Sequence, residues 1–383
     1  MSVTTPAGFN AAGVAAGIKT SGKLDLALIT NTGPQRTAAG VFTTNRVKAA
    51  PVHWSEQALH DGELTAVVLN SGGANACTGS EGYEDAVATA QRVAAGLSVP
   101  PEAVAVCSTG LIGRRLPMPE LLNGVDAAVT TLSTMGGQDA ATAIMTTDTC
   151  PKATSVRRAD FTVGGIAKGA GMMAPSLATM LVVLTTDAVV ESSLLDTALR
   201  EATRLTFERL DSDGCMSTND TVLLLASGAS GYEPSVVELT ETLIEACQDL
   251  AQQLLADAEG ATKDITITVT KAASEADALE VGRSIARSAL LKCALFGNDP
   301  NWGRVLAAIG TTEAKFDPDQ LDVAINRVWV CRSSSAAADR SSVDLTGREV
   351  RIEVDLNAGV EQATVWTNDL SPVYVHENSA YSS

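Results

Sequence analysis

Residues Lys168-Gly169-Ala170-Gly171-Met172-Met173-Ala174-Pro175-Ser176-Leu177-Ala178-Thr179-Met180-Leu181-Val182-Val183-Leu184 change character within one short stretch. Glycines and a proline give way to Thr179 and then to an apolar run. Gly and Pro admit backbone angles that other residues avoid. A β-branched run after them reads as a buried strand. Thr179 therefore stands where a loop feeds a core strand. Two readings fit it. A threonine that opens a strand is commonly a strand residue and nothing more. A hydroxyl at such a junction can also attack the peptide carbonyl of Ala178 and then serve as an N-terminal nucleophile.

Around this stretch lie 383 residues, 45% of them apolar, enough for a large core in two structural units. Aromatics are only 4%, so Ala, Val and Leu must fill that core. Lys plus Arg number 27 against 45 Asp plus Glu, a net charge of −18. Such a field repels nucleic acid and anionic membrane, and neither is expected as a partner. A carboxylate substrate would need a locally positive or amide-lined site.

The seven cysteines (Cys77, Cys107, Cys150, Cys215, Cys247, Cys293 and Cys331) are scattered and form no Cys-x-x-Cys. That fits a reduced cytoplasmic protein with buried thiols. His53, His60 and His376 have no zinc-like spacing. Asp211 and Asp213 begin like a calcium loop, but Cys215 and Met216 fall where an oxygen ligand and a glycine are needed. No metal site is expected. No Gly-x-Ser-x-Gly elbow supports a serine triad. The first positive residue is Lys19, so no signal peptide is expected. No apolar run approaches a membrane span.

Short apolar runs alternate with longer amphipathic stretches. Residues 66–69, 104–106, 180–184, 222–225, 265–269, 323–331, 350–354 and 363–366 read as strands. Helices are expected over 84–97, 192–210, 277–291, and from the Ser235/Glu238 capping-box pattern to near Gly260. Residues 332–342 read as a surface loop. This order implies an α/β (α+β) fold of layered sheets flanked by helices.

Several segments carry candidate chemistry. Cys107-Ser108-Thr109-Gly110-Leu111-Ile112-Gly113 follows a strand and can aim a hydroxyl and an N–H one way, as an oxyanion hole needs. An ordinary turn fits it as well. The run 70–79 is dense in small polar residues but lacks the Gly-Lys-Ser/Thr end of a P-loop. Ala143-Ile144-Met145-Thr146-Thr147-Asp148 reads from its residues as a helix end capped by polar groups. Lys168 is either a solvated surface lysine or a partner for a carboxylate. Glu259 stands just past a helix C-terminus, where an acid is unfavourable unless it has another task. Ser217-Thr218-Asn219-Asp220-Thr221 and 299–304 are further polar segments. The chain ends in Glu377-Asn378-Ser379-Ala380-Tyr381-Ser382-Ser383.

In this order, from about residue 70 to 383, these segments resemble the glutamate N-acetyltransferase (ornithine acetyltransferase) family of arginine biosynthesis. Lys-Gly-x-Gly-Met, a spacer, Pro, and Ala-Thr-Met-Leu are its cleavage-site pattern. Two departures stand out: Ser176-Leu177 where the family more often has Asn-Met, and Cys215-Met216 where it usually has Asp-Thr. The resemblance implies an N-terminal-nucleophile-like acyltransferase that cleaves itself between Ala178 and Thr179. The products would be an α chain, 1–178, and a β chain, 179–383, assembled as an α2β2 heterotetramer in the cytoplasm. It implies Thr179 as nucleophile and Thr109 and Gly110 as oxyanion hole. It implies Thr146, Lys168, Thr179, Glu259, Asn378 and Ser383 as substrate contacts. Acetyl would pass from N2-acetyl-L-ornithine to L-glutamate through an acetyl-threonine, with no cofactor and no metal. Whether acetyl-CoA is a second donor stays open. The alternatives are a self-cleaving amidohydrolase of β-aminopeptidase type and an uncleaved amino-acid-binding protein.

Overall fold

The strand expected after residue 179 runs Leu181–Thr186, and all six residues are buried. A strand buried on both faces reads as a continuous apolar run, as here. A computed structural model describes residues 1–172 and 180–380. Ala178, Thr179 and Ser383 lie outside the described residues. The chain packs as two units. The first comprises Met1–Glu208 and Cys215–Leu254; the second comprises Arg209–Gly214 and the residues from Leu255 on.

The first unit contains two sheets. One joins β1 (Phe9–Val14), β2 (Leu26–Asn31), β4 (Ala66–Asn70) and β5 (Val104–Ser108), in that order. The other runs β3 (Ala38–Phe42), β9 (Thr221–Ala226), β8 (Leu181–Thr186), β7 (Thr162–Lys168), β6 (Lys152–Arg157). Its helices are α1 (Ala50–Ala58), α2 (Gly79–Leu97), α3 (Met118–Thr131), α4 (Gly137–Ala143), α5 (Ser192–Leu205) and all but the last two residues of α6 (Val236–Ala256). Two parallel pairs, β4·β5 and β8·β9, are each bridged by a helix, α2 and α5, as a parallel crossover requires. Ile166, Leu181, Val183, Leu223 and Leu225 share one apolar cluster with Leu26, Leu28, Val67 and Leu69 of the first sheet. Burying each such side chain contributes about 1.5–3 kcal/mol relative to exposure.

The segment that carries residues 178 and 179 links β7 to β8. These two strands are antiparallel neighbours from Lys168↔Leu181 to Val163↔Thr186. Residues on both sides of the Ala178–Thr179 bond therefore build one sheet. The expected 1–178 and 179–383 division is thus a matter of one peptide bond and not of packing.

The second unit has one sheet, ordered β13 (Ser335–Ala336), β12 (Val328–Arg332), β11 (Asp322–Ile325), β14 (Glu349–Asp355), β10 (Asp264–Ala272), β15 (Glu361–Asn368). Helices α7 (Glu275–Ala286), α8 (Ala289–Phe296), α9 (Trp302–Ile309) and α10 (Pro372–Ala380) complete it.

Some expected elements differ. The helix over 277–291 is two helices, because Ser288 leaves helical backbone and its Oγ accepts the Leu291 N–H to start α8. The strand over 323–331 is a hairpin, turned at Asn326 and Arg327 with φ of 46° and 69°. Such a turn takes two residues at positive φ, a role the Asn-Arg pair does not announce. The helix over 192–210 stops at Leu205. The 332–342 loop contains the short strand β13. At the capping box, Ser235 Oγ accepts the Glu238 N–H, but the Glu238 carboxylate takes the Tyr232 hydroxyl instead of closing the box. Only Cys107, Cys247 and Cys331 are buried thiols; the other four cysteines are exposed. No described helix is long and apolar enough to cross a membrane.

Candidate active site

Three of the polar segments meet in the first unit. Thr109 directly follows β5, and its N–H donates to the Asn70 carbonyl at 3.0 Å. Gly73 N–H donates to the Thr109 carbonyl at 3.0 Å, and Ala74 N–H to the Leu111 carbonyl at 3.1 Å. Asn219 ties the third segment in. Its Nδ2 donates to the Ala74 carbonyl at 2.6 Å and to the Ser108 carbonyl at 2.8 Å. Gly110 sits at φ +138°, where a side chain is strained, and a Cβ there would stand 2.6 Å from Gly73 N. The turn therefore requires glycine. Among the described residues the Gly110 N–H has no hydrogen-bond acceptor.

Lys168 ends β7 and is only 2% exposed, so it is not a solvated surface lysine. Its Nζ donates to Thr109 Oγ1 at 3.3 Å. A hydroxyl that accepts from an ammonium still has its own proton to give. Thr109 Oγ and Gly110 N are thus two adjacent donors, the arrangement expected of an oxyanion hole.

Asp148 lies behind them. Oδ1 accepts Lys152 Nζ at 2.6 Å and the Gly169 N–H at 2.7 Å; Oδ2 accepts the Thr146 N–H at 2.9 Å. Burial alone would raise this carboxyl. The charges of Lys168 and Lys152, with these hydrogen bonds, outweigh it and hold Asp148 down at about 2. Lys19, whose Nζ donates to the Met145 carbonyl at 2.6 Å, is held below the usual lysine range by burial and by the like charge of Lys168. Thr146, expected as a substrate contact, is half-buried and gripped through its N–H by Asp148. In the sequence Asp148 only closes the Thr146 segment and Lys152 lies beyond it; their joint signal there is two opposite charges four residues apart.

Asp220 immediately precedes β9 and is fully buried. Burial pushes its carboxyl well up, against the N–H groups of Met180 and Ser217 and the charge of Lys168.

Glu259 and Asn378 belong to the second unit and meet there: Asn378 Nδ2 donates to Glu259 Oε2 at 3.0 Å. Gly260, at φ +63°, fixes the turn that carries Glu259; a Cβ there would lie 2.2 Å from Tyr374 N on α10. Beside α10 is a cavity of about 230 Å³, whose polar lining includes Asp213, Arg287, Lys292 and Tyr374. The Tyr374 hydroxyl donates to Asp213 Oδ1 at 2.6 Å.

The ArgJ family model matches residues 10–383. Arginine biosynthesis bifunctional protein ArgJ of Streptomyces coelicolor is 63% identical over 383 residues, covering 100% of both chains. The proteins of the same name from Streptomyces avermitilis and Thermobifida fusca are 64% and 62% identical, again over 100% of both chains. Among solved structures, ornithine acetyltransferase of Mycobacterium tuberculosis in complex with ornithine is 58% identical, with a TM-score of 0.45 over 47% of this chain and 96% of that one.

Proposed function

Because this chain belongs to the ArgJ family, we propose that it transfers acetyl from N2-acetyl-L-ornithine to L-glutamate, giving L-ornithine and N-acetyl-L-glutamate. The observation that carries the reading is the donor pair at Thr109 and Gly110, braced by Lys168 at the sheet end where β8 begins.

Maturation comes first. The Thr179 hydroxyl attacks the Ala178 carbonyl, the peptide nitrogen leaves as the α-amine, and water hydrolyses the ester to free the 1–178 and 179–383 chains. An unperturbed α-amine titrates at about 7.7–8.0, so this one can serve as general base near neutral pH. Turnover follows in two halves. Thr179 Oγ attacks the acetyl carbonyl of acetylornithine, and the α-amine takes the hydroxyl proton. Thr109 Oγ–H and Gly110 N–H donate to the oxyanion. The C–N bond breaks, the proton passes to the departing amine, and ornithine leaves. Glutamate's amine then attacks the acetyl-threonine ester and restores the hydroxyl.

Lys168 holds the Thr109 hydroxyl in place and supplies positive charge for a substrate carboxylate. Thr146, Glu259, Asn378 and Ser383 are the remaining proposed substrate contacts, with Glu259 suited to an amino group. Acetyl-CoA is proposed as a second donor, which the assay below tests directly. The mature enzyme is proposed as a cytoplasmic α2β2 assembly.

The test is transfer by purified protein, with acetylornithine plus glutamate against acetyl-CoA plus glutamate. N-acetylglutamate formed from acetylornithine supports the reading. Acetate released at a rate that glutamate does not change would replace it with the amidohydrolase.

A further inference from the structure

Met180 is the last residue before β8, and Asp220 the last before β9. The strands run parallel with Leu181 beside Thr221, so the two residues stand level at one end of the sheet. The Thr221 N–H donates to the Met180 carbonyl at 3.1 Å, and the Met180 N–H donates to Asp220 Oδ1 at 3.1 Å. Asp220 Oδ2 accepts the Ser217 N–H at 3.0 Å, and the Asp220 carbonyl accepts the Thr43 N–H at 2.9 Å. Burying a carboxylate is costly, and pairing two strands does not call for one. The nitrogen that Asp220 grips is the one bonded to the carbonyl carbon of Thr179.

We infer that Asp220 is a positioning residue for the nucleophile: by fixing the Met180 nitrogen it limits where the Thr179 hydroxyl can go. The inference rests on Thr179 being the nucleophile, as proposed above. The anchor lies on the C-terminal side of the Ala178–Thr179 bond. It therefore outlasts cleavage and restrains the new N-terminus during turnover as it restrained the precursor. Nucleophilic attack is steep in position, with a misplacement of about 1 Å costing roughly 10²-fold.

The same sheet supplies a matched control. Asp187 directly follows the other end of β8, is also buried, and also grips two backbone groups: the Thr162 N–H at 2.7 Å and the Ala7 N–H at 3.1 Å. It has no part in the proposed chemistry. Asp220→Asn keeps the volume but only one acceptor, and Asp220→Ala keeps neither.

The experiment follows conversion of the full-length chain to its two products during cell-free synthesis, for wild type, Asp220→Asn, Asp220→Ala and Asp187→Asn, with a melting temperature for each. Cleavage should slow about 10-fold in Asp220→Asn and about 100-fold in Asp220→Ala, while Asp187→Asn cleaves near the wild-type rate. In matured Asp220→Asn, kcat should fall with KM for acetylornithine little changed. If Asp220→Ala does not fold, Asp220→Asn against Asp187→Asn decides. Equal slowing in those two variants, or wild-type cleavage in Asp220→Asn, overturns the inference. A wild-type chain that stays whole removes the functional reading itself, and the inference falls with it.

Discussion

Lys168 Nζ lies 3.3 Å from Thr109 Oγ1, and both side chains are buried. The ammonium occupies a lone pair of the hydroxyl and leaves its proton for a third group. Thr109→Ala removes that donor and should lower kcat by about 10²–10³. Thr109→Ser restores a hydroxyl and should recover most of the loss. Steady-state kinetics of the matured variants check this, and a Thr109→Ala enzyme with normal kcat would take Thr109 out of the mechanism.

The same contact predicts coupling. If Lys168 acts partly through Thr109, Lys168→Met and Thr109→Ala should not be additive. Residues in direct contact typically show interaction energies of about 0.5–3 kcal/mol. A double-mutant cycle on kcat/KM measures this. Strict additivity would confine Lys168 to the substrate.

The turn at Thr109-Gly110 was legible because a strand, a hydroxyl and a glycine stood in order. Segment 217–221 was legible as a motif but not as a tether. Nothing in its spacing says that Asn219 reaches the Ala74 and Ser108 carbonyls, because such contacts are set by how strands distant in sequence align. The paired β10 and β14 share that limit: 264–270 and 349–355 are each readable as strands, but their parallel register is not. Lys168 illustrates a further limit. Composition favours an exposed lysine, and a buried one is accounted for by its place at the end of β7 beside Thr109 and the charge of Asp148.

Asp148 predicts acid sensitivity. Its folded-state carboxyl sits at about 2, below the ordinary 3.8. The lowered value means that folding favours the ionised form. Its stabilisation is fully present above pH 4 and is lost as pH falls towards 2, amounting to about 2 kcal/mol. Asp148→Asn also leaves Lys152 buried beside a neutral group, which is strongly destabilising. The difference in urea-unfolding stability between wild type and Asp148→Asn should therefore be large at pH 7 and narrow between pH 4 and 2. A difference that stays constant over this range would place the carboxylate's value elsewhere.

The pairing of Asn378 with Glu259 makes a separate prediction for the second unit. Asn378→Ala and Glu259→Gln should each raise KM for acetylornithine, by roughly 10-fold for a lost charge-assisted hydrogen bond. Self-cleavage needs no external substrate and should proceed at the wild-type rate in both. Slower cleavage in either variant would assign these residues a structural task instead.

The central claim is that Thr179 is first the agent of cleavage and then the carrier of the acetyl group. Intact-mass spectrometry of wild type and Thr179→Ala tests both halves at once. Wild type should give chains 1–178 and 179–383. Acetylornithine alone should add one acetyl group to the second chain, at Thr179, and glutamate should discharge it as N-acetylglutamate. Thr179→Ala should remain one unacetylated chain of 383 residues. A wild-type protein that stays whole, or a cleaved one whose acetyl group appears on another residue, would contradict the account.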